Sequence, residues 1–398
     1  MPGLDLSRSH PLFGRTMAAL FLVGISTFLP LYAVQPLLVP IGAEFMRPAA
    51  QTAWLMGASS AAIAVCVLPL GAASARLGRS RVMLGGLVVL VAAGVGTVVA
   101  QGWPMVLAAR ALTGVGVAAI IVSAMAWVVE QSHPAAGSAI GGLYISGTSV
   151  GGMAGRLISS YVAEFTDWRA GVLVAVLLAA GTGLAAHLLL PGVPPSSTHP
   201  AQRVSEPGPV NRRFRFHIYG VAFLGMALFS GVYTAVAYRV AEAPFNAGPA
   251  VTGSLFLTYL AGTFTAAISG RLAGRLSIRA MMVAGFVVSA VGVLVTLVAN
   301  MVAIVGGLLL ISAGFFIVHG LANSLAPRYS PQPTAGSARY SLSYYAGSAA
   351  GAVVLGAAWD AGGWGLVALF AIVLTGLGAV LAGTARRATP EPPPAGQD

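Results

Sequence analysis

The sequence predicts an all-α membrane protein, twelve transmembrane helices in two pseudo-symmetric six-helix bundles. Three observations carry that prediction: an apolar composition, a series of apolar runs of spanning length, and an internal repeat. Of the 398 residues, 57% are hydrophobic and only 8% are charged, whereas soluble domains are roughly a quarter charged. Lipid is therefore the main solvent of this chain. A helix needs about 20 largely apolar residues to cross the hydrocarbon core. Such runs fall at about 16–39, 53–75, 82–101, 104–129, 139–163, 168–190, 218–240, 250–269, 280–299, 301–326, 338–360 and 363–383. They are continuous instead of alternating, so of the two backbone solutions that lipid permits they are helices and not barrel strands. Arg8 and Arg15 before the first run imitate a signal peptide, but the run is long enough to span and others follow, which marks it as a retained first helix.

Charge sets the expected orientation. The formal net charge of +11 comes from arginines scattered singly between apolar runs, with no lysine, which is not the clustered basic face of a nucleic-acid binder. With both termini cytoplasmic, the inner loops and tails hold Arg8, Arg15, Arg76, Arg79, Arg81, Arg203, Arg212, Arg213, Arg215, Arg271, Arg275, Arg279, Arg328, Arg339, Arg386 and Arg387. The outer loops hold only Arg47, Arg169 and Arg239. That asymmetry is the positive-inside signature of a multi-pass membrane protein with both termini inside. The single cysteine, Cys66, lies in an apolar run, cannot form an intramolecular disulfide and reads as a buried, inert thiol.

The chain divides six spans from six. Residues 191–217 are rich in Pro, Ser and Arg without hydrophobic periodicity and read as a flexible cytoplasmic linker between bundles at 1–190 and 218–398, the second ending in a short disordered tail. Gly71 to Arg76-Leu77 after the second span recurs as Gly270 to Arg275-Leu276 after the eighth, and Tyr144, Gly147 and Gly151 in the fifth recur as Tyr344, Gly347 and Gly351 in the eleventh. Two unrelated landmarks at nearly one offset argue for duplication, which in membrane transporters places the solute site between two related halves.

These strings also resemble a known family. Gly71-Ala-Ala-Ser-Ala-Arg76-Leu-Gly78-Arg79-Ser-Arg81, Arg110-Ala-Leu-Thr-Gly114-Val-Gly116 and the glycine-rich fifth span are similar to the loop 2–3 signature, the fourth-helix motif and the antiporter motif of the major facilitator superfamily. Leu31-Tyr-Ala-Val-Gln35-Pro36, Gly142-Leu-Tyr-Ile-Ser-Gly147, Met153-Ala-Gly-Arg156 and Tyr344-Tyr-Ala-Gly-Ser348 resemble its bacterial YnfM-type efflux branch. The resemblance implies a secondary active transporter, exporting a small amphiphilic compound or sugar against protons by alternating access. It also exposes a departure. The loop signature normally carries an aspartate where this chain has Ala75, and Gly274 stands at the repeat-equivalent place.

Gly71, Gly78, Gly270, Arg76, Arg79 and Arg275 read either as plain topology or as a shared conformational device, with Gly71 and Gly78 permitting a tight turn and the arginines meeting helix C-terminal carbonyls. Gly147, Gly151 and Gly155 fall four apart and make a small-residue stripe for close helix approach, static or sliding. Arg110 and Arg156 are the sharper signals, because a charge inside a span is costly and usually faces a cavity or partner. Each lies roughly 10 Å inside the outer boundary at 1.5 Å per residue, with Gln35 at a similar depth and Ser149, Gly152 and Ser160 within about 40° of Arg156 on its helix. Snorkelling to the outer headgroups is the competing reading.

No acid lies mid-span, so intramembrane carboxylate relays are absent, and His319 is the one histidine placed to titrate within a helix, as proton site or as a hydrogen-bonded structural group. Tyr233, Tyr344 and Tyr345 suit an aromatic, hydroxyl-bearing wall, or interfacial anchors. The expected substrate pathway is thus Gln35, Arg110, Arg156, Ser149, Tyr233, Tyr344 and Tyr345. No metal, cofactor or nucleic acid is expected, and a monomer in the bilayer handling a small solute and protons is. An enzyme would need acids, bases or metal ligands converging at one depth, and no such His/Glu/Asp cluster appears. An uncoupled facilitator or importer, and a receptor or structural subunit, are the alternatives.

Overall fold

The computed structural model describes residues 6–191, 212–272, 276–330 and 333–385. The chain is an all-α membrane protein, and among the described residues the only β feature is an isolated bridge between Leu6 and Ser132. The helices are α1 (Phe13–Tyr32), α2 (Leu38–Glu44), α3 (Ala49–Thr52), α4 (Trp54–Leu77), α5 (Arg79–Val98), α6 (Trp103–Gln131), α7 (Pro134–Phe165), α8 (Trp168–Leu189), α9 (Arg212–Ala241), α10 (Pro249–Ser254), α11 (Tyr259–Leu272), α12 (Ile278–Val295), α13 (Met301–Leu325) and α14 (Pro333–Thr384). They map onto the twelve predicted runs. α1 with α2, α3 with α4, and α10 with α11 each make one span, and α14 holds two, divided at Gly362 and Gly363, where φ reaches +60° at Gly363.

Two boundaries differ from expectation. The stretch expected to be linker through His217 turns helical at Arg212, while 192–211, Arg275 and the tail from 386 lie outside the described residues. The first span, read as one helix over 16–39, is broken: α1 stops at Tyr32 and a 3-10 turn over Gln35–Leu37 precedes α2. The cause is local, since Pro36 has no N–H to close a helical bond and its ring clashes with the preceding turn.

The described structure gathers into two compact units. The first comprises Met1–His199, Ser230–Leu257 and Ser348–Val367, and the second Pro200–Phe229, Thr258–Gly347 and Ala368–Asp398. In the first unit α1 lies on α7 along the predicted glycine stripe: a Cβ at Gly147, Gly151 or Gly155 would collide with the backbone of Phe21, Ile25 or Leu29 respectively. The stripe is therefore a close backbone contact, as small-residue packing in membranes predicts. In the second unit a Cβ at Gly347 would collide with the Phe223 carbonyl, the same contact at the repeat-related residue. The core of that unit is built from Phe214, Ile218, Met282, Phe286, Val318 and their neighbours.

Candidate solute pathway around a buried arginine

The break in the first span creates a chemical demand. Ending α1 at Tyr32 leaves the last carbonyls of the helix without intrahelical donors, and buried carbonyls must find partners. Arg110 on α6 supplies them. Its Nη2 donates to Leu31 O at 2.6 Å, its Nη1 to Pro30 O at 3.3 Å and its Nε to Leu55 O on α4 at 3.0 Å. Ser159 Oγ on α7 donates to Ala33 O, just past the helix end, at 2.7 Å. Arg110 is 1% exposed, so snorkelling is excluded. Its guanidinium fork brackets three helices, with its charge set against the negative end of a helix dipole. Where side-chain partners beside Gln35 were expected, all three of these Arg110 hydrogen bonds go to backbone carbonyls.

Gln35 instead meets Arg156. The 3-10 turn presents Gln35 Oε1 to Arg156 Nε at 2.9 Å, and Arg156 Nη1 donates to Gly152 O one turn back at 2.8 Å. The guanidinium carbon lies 3.8 Å from the Tyr32 ring centroid and 4.7 Å from that of Phe256, which follows α10. Two aromatic faces against a desolvated cation are a strong cation–π arrangement. Tyr233 on α9 is fully buried with its ring 5.4 Å from Phe256. The outcome in this unit is a guanidinium and an amide beside an aromatic wall, drawn from α7, the first-span turn, α9 and the α10 segment. Phe256 carried no signal in the sequence that its apolar neighbours lacked.

Ser149 lies on the Arg156 side of α7, exposed, with its hydroxyl donating to Ile145 O at 3.3 Å. The string Gly147-Thr148-Ser149-Val150-Gly151 has the letters of a hydrolase nucleophile elbow. It sits within continuous helix α7, whereas an elbow needs a sharp strand-to-helix turn, so it carries no such chemistry.

The second unit holds the other candidates. Tyr340 Oη contacts His319 Nδ1 at 2.8 Å and donates to His319 O at 3.2 Å. Phe315 stacks on the imidazole at 5.5 Å between centroids and Tyr344 tilts over it at 4.9 Å. Tyr345 is buried with its ring edge-on to Tyr344. These residues form an aromatic nest around one imidazole.

Within the first loop signature only Gly78 makes the turn. Its φ of +98° joins α4 to α5 in a backbone region that side chains avoid. Gly71 corrects the expectation of a two-glycine turn: it lies inside α4, which continues to Leu77, and it contributes its carbonyl to Arg79 Nη1 at 3.4 Å. Arg79 Nη2 pairs with Glu130 Oε1 at 2.6 Å, while Arg76 is exposed. Cys66 is half-buried in place of the expected burial. Among the described residues, no group of three or more His, Cys, Asp or Glu could hold a metal ion.

Residues 20–339 match the family model of the Major Facilitator Superfamily. The chain belongs to the major facilitator superfamily. It is 33% identical over 392 residues to the inner membrane transport protein YnfM of Escherichia coli strain K12, covering 96% of this chain and 93% of that protein. It is 25% identical over 382 residues to the MFS-type transporter YybF of Bacillus subtilis strain 168, covering 93% of each. Among solved structures it resembles the human organic anion transporter MFSD10, with TM-score 0.67, 19% identity and coverage of 94% of this chain and 100% of that one. It also resembles a bacterial homolog of the human lysosomal transporter Spinster in an inward-facing, unoccupied conformation, with TM-score 0.71, 15% identity and coverage of 95% and 97%. At those identities the structural likenesses establish the fold. This superfamily member is thus a multi-pass transporter whose loop signature carries Ala75, an exposed residue, where the family pattern has an acid.

Proposed function

We propose that this protein is a proton-coupled exporter of the inner membrane that binds a small amphiphilic solute, a compound or sugar with an anionic or hydrogen-bonding group, at Arg156. The observation that carries the reading is the Arg156 site itself: a buried, planar guanidinium fork beside Gln35 and between the rings of Tyr32 and Phe256. Such a site offers a polar anchor and an apolar face together, which is what an amphiphile requires. MFSD10, which shares the fold, is an organic anion transporter, and a cationic anchor at Arg156 suits a solute of that class. Orientation with both termini cytoplasmic follows from the arginine distribution, export from likeness to the YnfM-type branch, and a monomer from a site built within one chain.

Arginine cannot itself carry the coupling proton. His319, hydrogen-bonded to Tyr340, is the proposed proton site. A second reading, an uncoupled facilitator, is favoured by the absence of any acid from the middle of a span. Purified protein in proteoliposomes, loaded with a panel of organic anions, sugars and neutral amphiphiles, distinguishes them. Coupled export predicts that an imposed pH gradient drives at least one solute uphill. Flux that only ever follows the solute gradient supports the facilitator, and no flux of any class removes the transport reading at this site.

A further inference from the structure

Two carboxylates that the pathway does not use hold together segments from the two halves of the chain, at the end of the first unit that the arginine distribution assigns to the outside. Glu164, near the end of α7, accepts the backbone N–H of Ala250 on α10 at 2.9 Å. Asp360, in α14, accepts the N–H groups of Ala49 at 2.9 Å and Ala50 at 2.7 Å. These alanines are first-turn residues of the eighth and second spans, so no preceding turn supplies their N–H groups with carbonyls.

The two contacts correspond across the internal repeat. Ala50 and Ala250 are 200 residues apart, and Glu164 follows Gly147 by 17 residues where Asp360 follows Gly347 by 13. The difference of four is about one helical turn, so both carboxylates project from nearly the same face. Four residues before each, a second pairing repeats. A Cβ on Gly253 would collide with Ser160, and one on Gly356 would press on Ala53.

We propose that Glu164 and Asp360 form a twofold latch that holds the outer end of the solute pathway shut, and that outward opening requires both to release. The character of the seams supports a separable contact. Both carboxylates are exposed and polar contacts recur along the seams, Tyr161 Oη with Ser254 Oγ at 3.1 Å beside Glu164 and, deeper along α14 from Asp360, Ser60 Oγ with Ser348 Oγ at 3.1 Å. Such bonds are exchanged for bonds to water at small net cost, and the backbones of these seams stand further apart than those of α1 and α7: a Cβ on Gly356 would lie 3.0 Å from Ala49 O and one on Gly253 3.1 Å from Arg156 O, whereas one on Gly147, Gly151 or Gly155 would overlap the backbone of α1. A charge-assisted bond to an otherwise orphaned N–H is still strong enough to bias an equilibrium. The latch stands independently of which solute Arg156 binds.

The test uses full-length protein in intact cells, with Cys66→Ser as background and Ser348→Cys as reporter. Ser348 is buried, bonded to Ser60 and Ser230, and 12 residues from Asp360 along α14, roughly 18 Å deeper at 1.5 Å per residue. A membrane-impermeant maleimide is applied from outside. Each of Glu164→Ala and Asp360→Ala is expected to speed labelling about three-fold and the pair about ten-fold, the scale of one and two partly exposed charge-assisted bonds. The isosteric pair Glu164→Gln with Asp360→Asn, which keeps shape and one acceptor at each seam, should rise less, and Gly253→Leu should open its seam by wedging. Unchanged labelling in the alanine pair overturns the proposal. Should that pair fail to accumulate, unchanged labelling in the isosteric pair overturns it equally. No solute enters this assay, so a failure of the Arg156 reading leaves its outcome untouched.

Discussion

Arg110 and Arg156 share a residue type and a depth, yet their partners assign them opposite duties. Arg110 donates to three backbone carbonyls, two of them exposed by the early end of α1. Removing it leaves buried acceptors unsatisfied, each costing about 1–3 kcal/mol. Arg110→Gln should therefore lower the melting temperature of the detergent-solubilised protein by several degrees, with lost transport following lost fold. Arg156 meets a side-chain amide and two ring faces, and it bonds backbone at Gly152 O of its own helix. Arg156→Gln should cut transport at least about ten-fold, the loss of roughly one charge-assisted contact, while the melting curve stays close to that of the parent. Arg156→Lys should rescue only partly, since lysine lacks the planar fork. Normal transport by Arg156→Gln in the panel assay would remove this residue from the pathway. The sequence signalled both arginines by the cost of burying charge. It could not separate them, because whether a guanidinium meets backbone or side chain depends on where neighbouring helices stop.

Among the elements, the broken first span and the α1–α7 contact show how local sequence prepares the site. Pro36 ends the helical hydrogen bonding, and the 3-10 turn that follows aims Gln35 at Arg156. Restoring the N–H with Pro36→Ala should let the first-span helix run on through the turn. The same change should weaken transport by turning Gln35 away. Unaltered transport would show that the turn does not position the amide. On the other face, Gly155 sits against Leu29 backbone with no room for a Cβ. Gly155→Val should abolish accumulation of folded protein in the membrane, measured by size-exclusion profile, whereas the same change at Gly71, whose surroundings are open, should be tolerated. The glycine stripe was legible because spacing of four defines a helical face. The break was not, since proline is common within membrane helices and only its neighbours decide whether it kinks or stops one.

On the scale of the whole molecule, the proposed plan is two bundles, 1–190 and 218–398, joined by a cytoplasmic linker at 191–217. The compact units are drawn differently, for Ser230–Leu257 and Ser348–Val367 belong with the first half. Cysteines placed singly in the linker should react with an impermeant reagent only in inside-out vesicles. Reaction in intact cells would reverse the assigned topology.

Composition, span length, arginine asymmetry and the internal repeat determined by themselves that this is a duplicated twelve-helix membrane protein, because lipid imposes the same demand on every residue of a span and leaves a one-dimensional record of it. Tertiary structure alone decided that Arg110 meets backbone carbonyls while Arg156 meets Gln35 and two rings, Phe256 among them, and that Glu164 and Asp360 reach across to Ala250, Ala49 and Ala50. Each of those facts concerns a partner distant in the chain. Which donor meets which acceptor there is set by how helices end and pack, and no periodicity within one span encodes it.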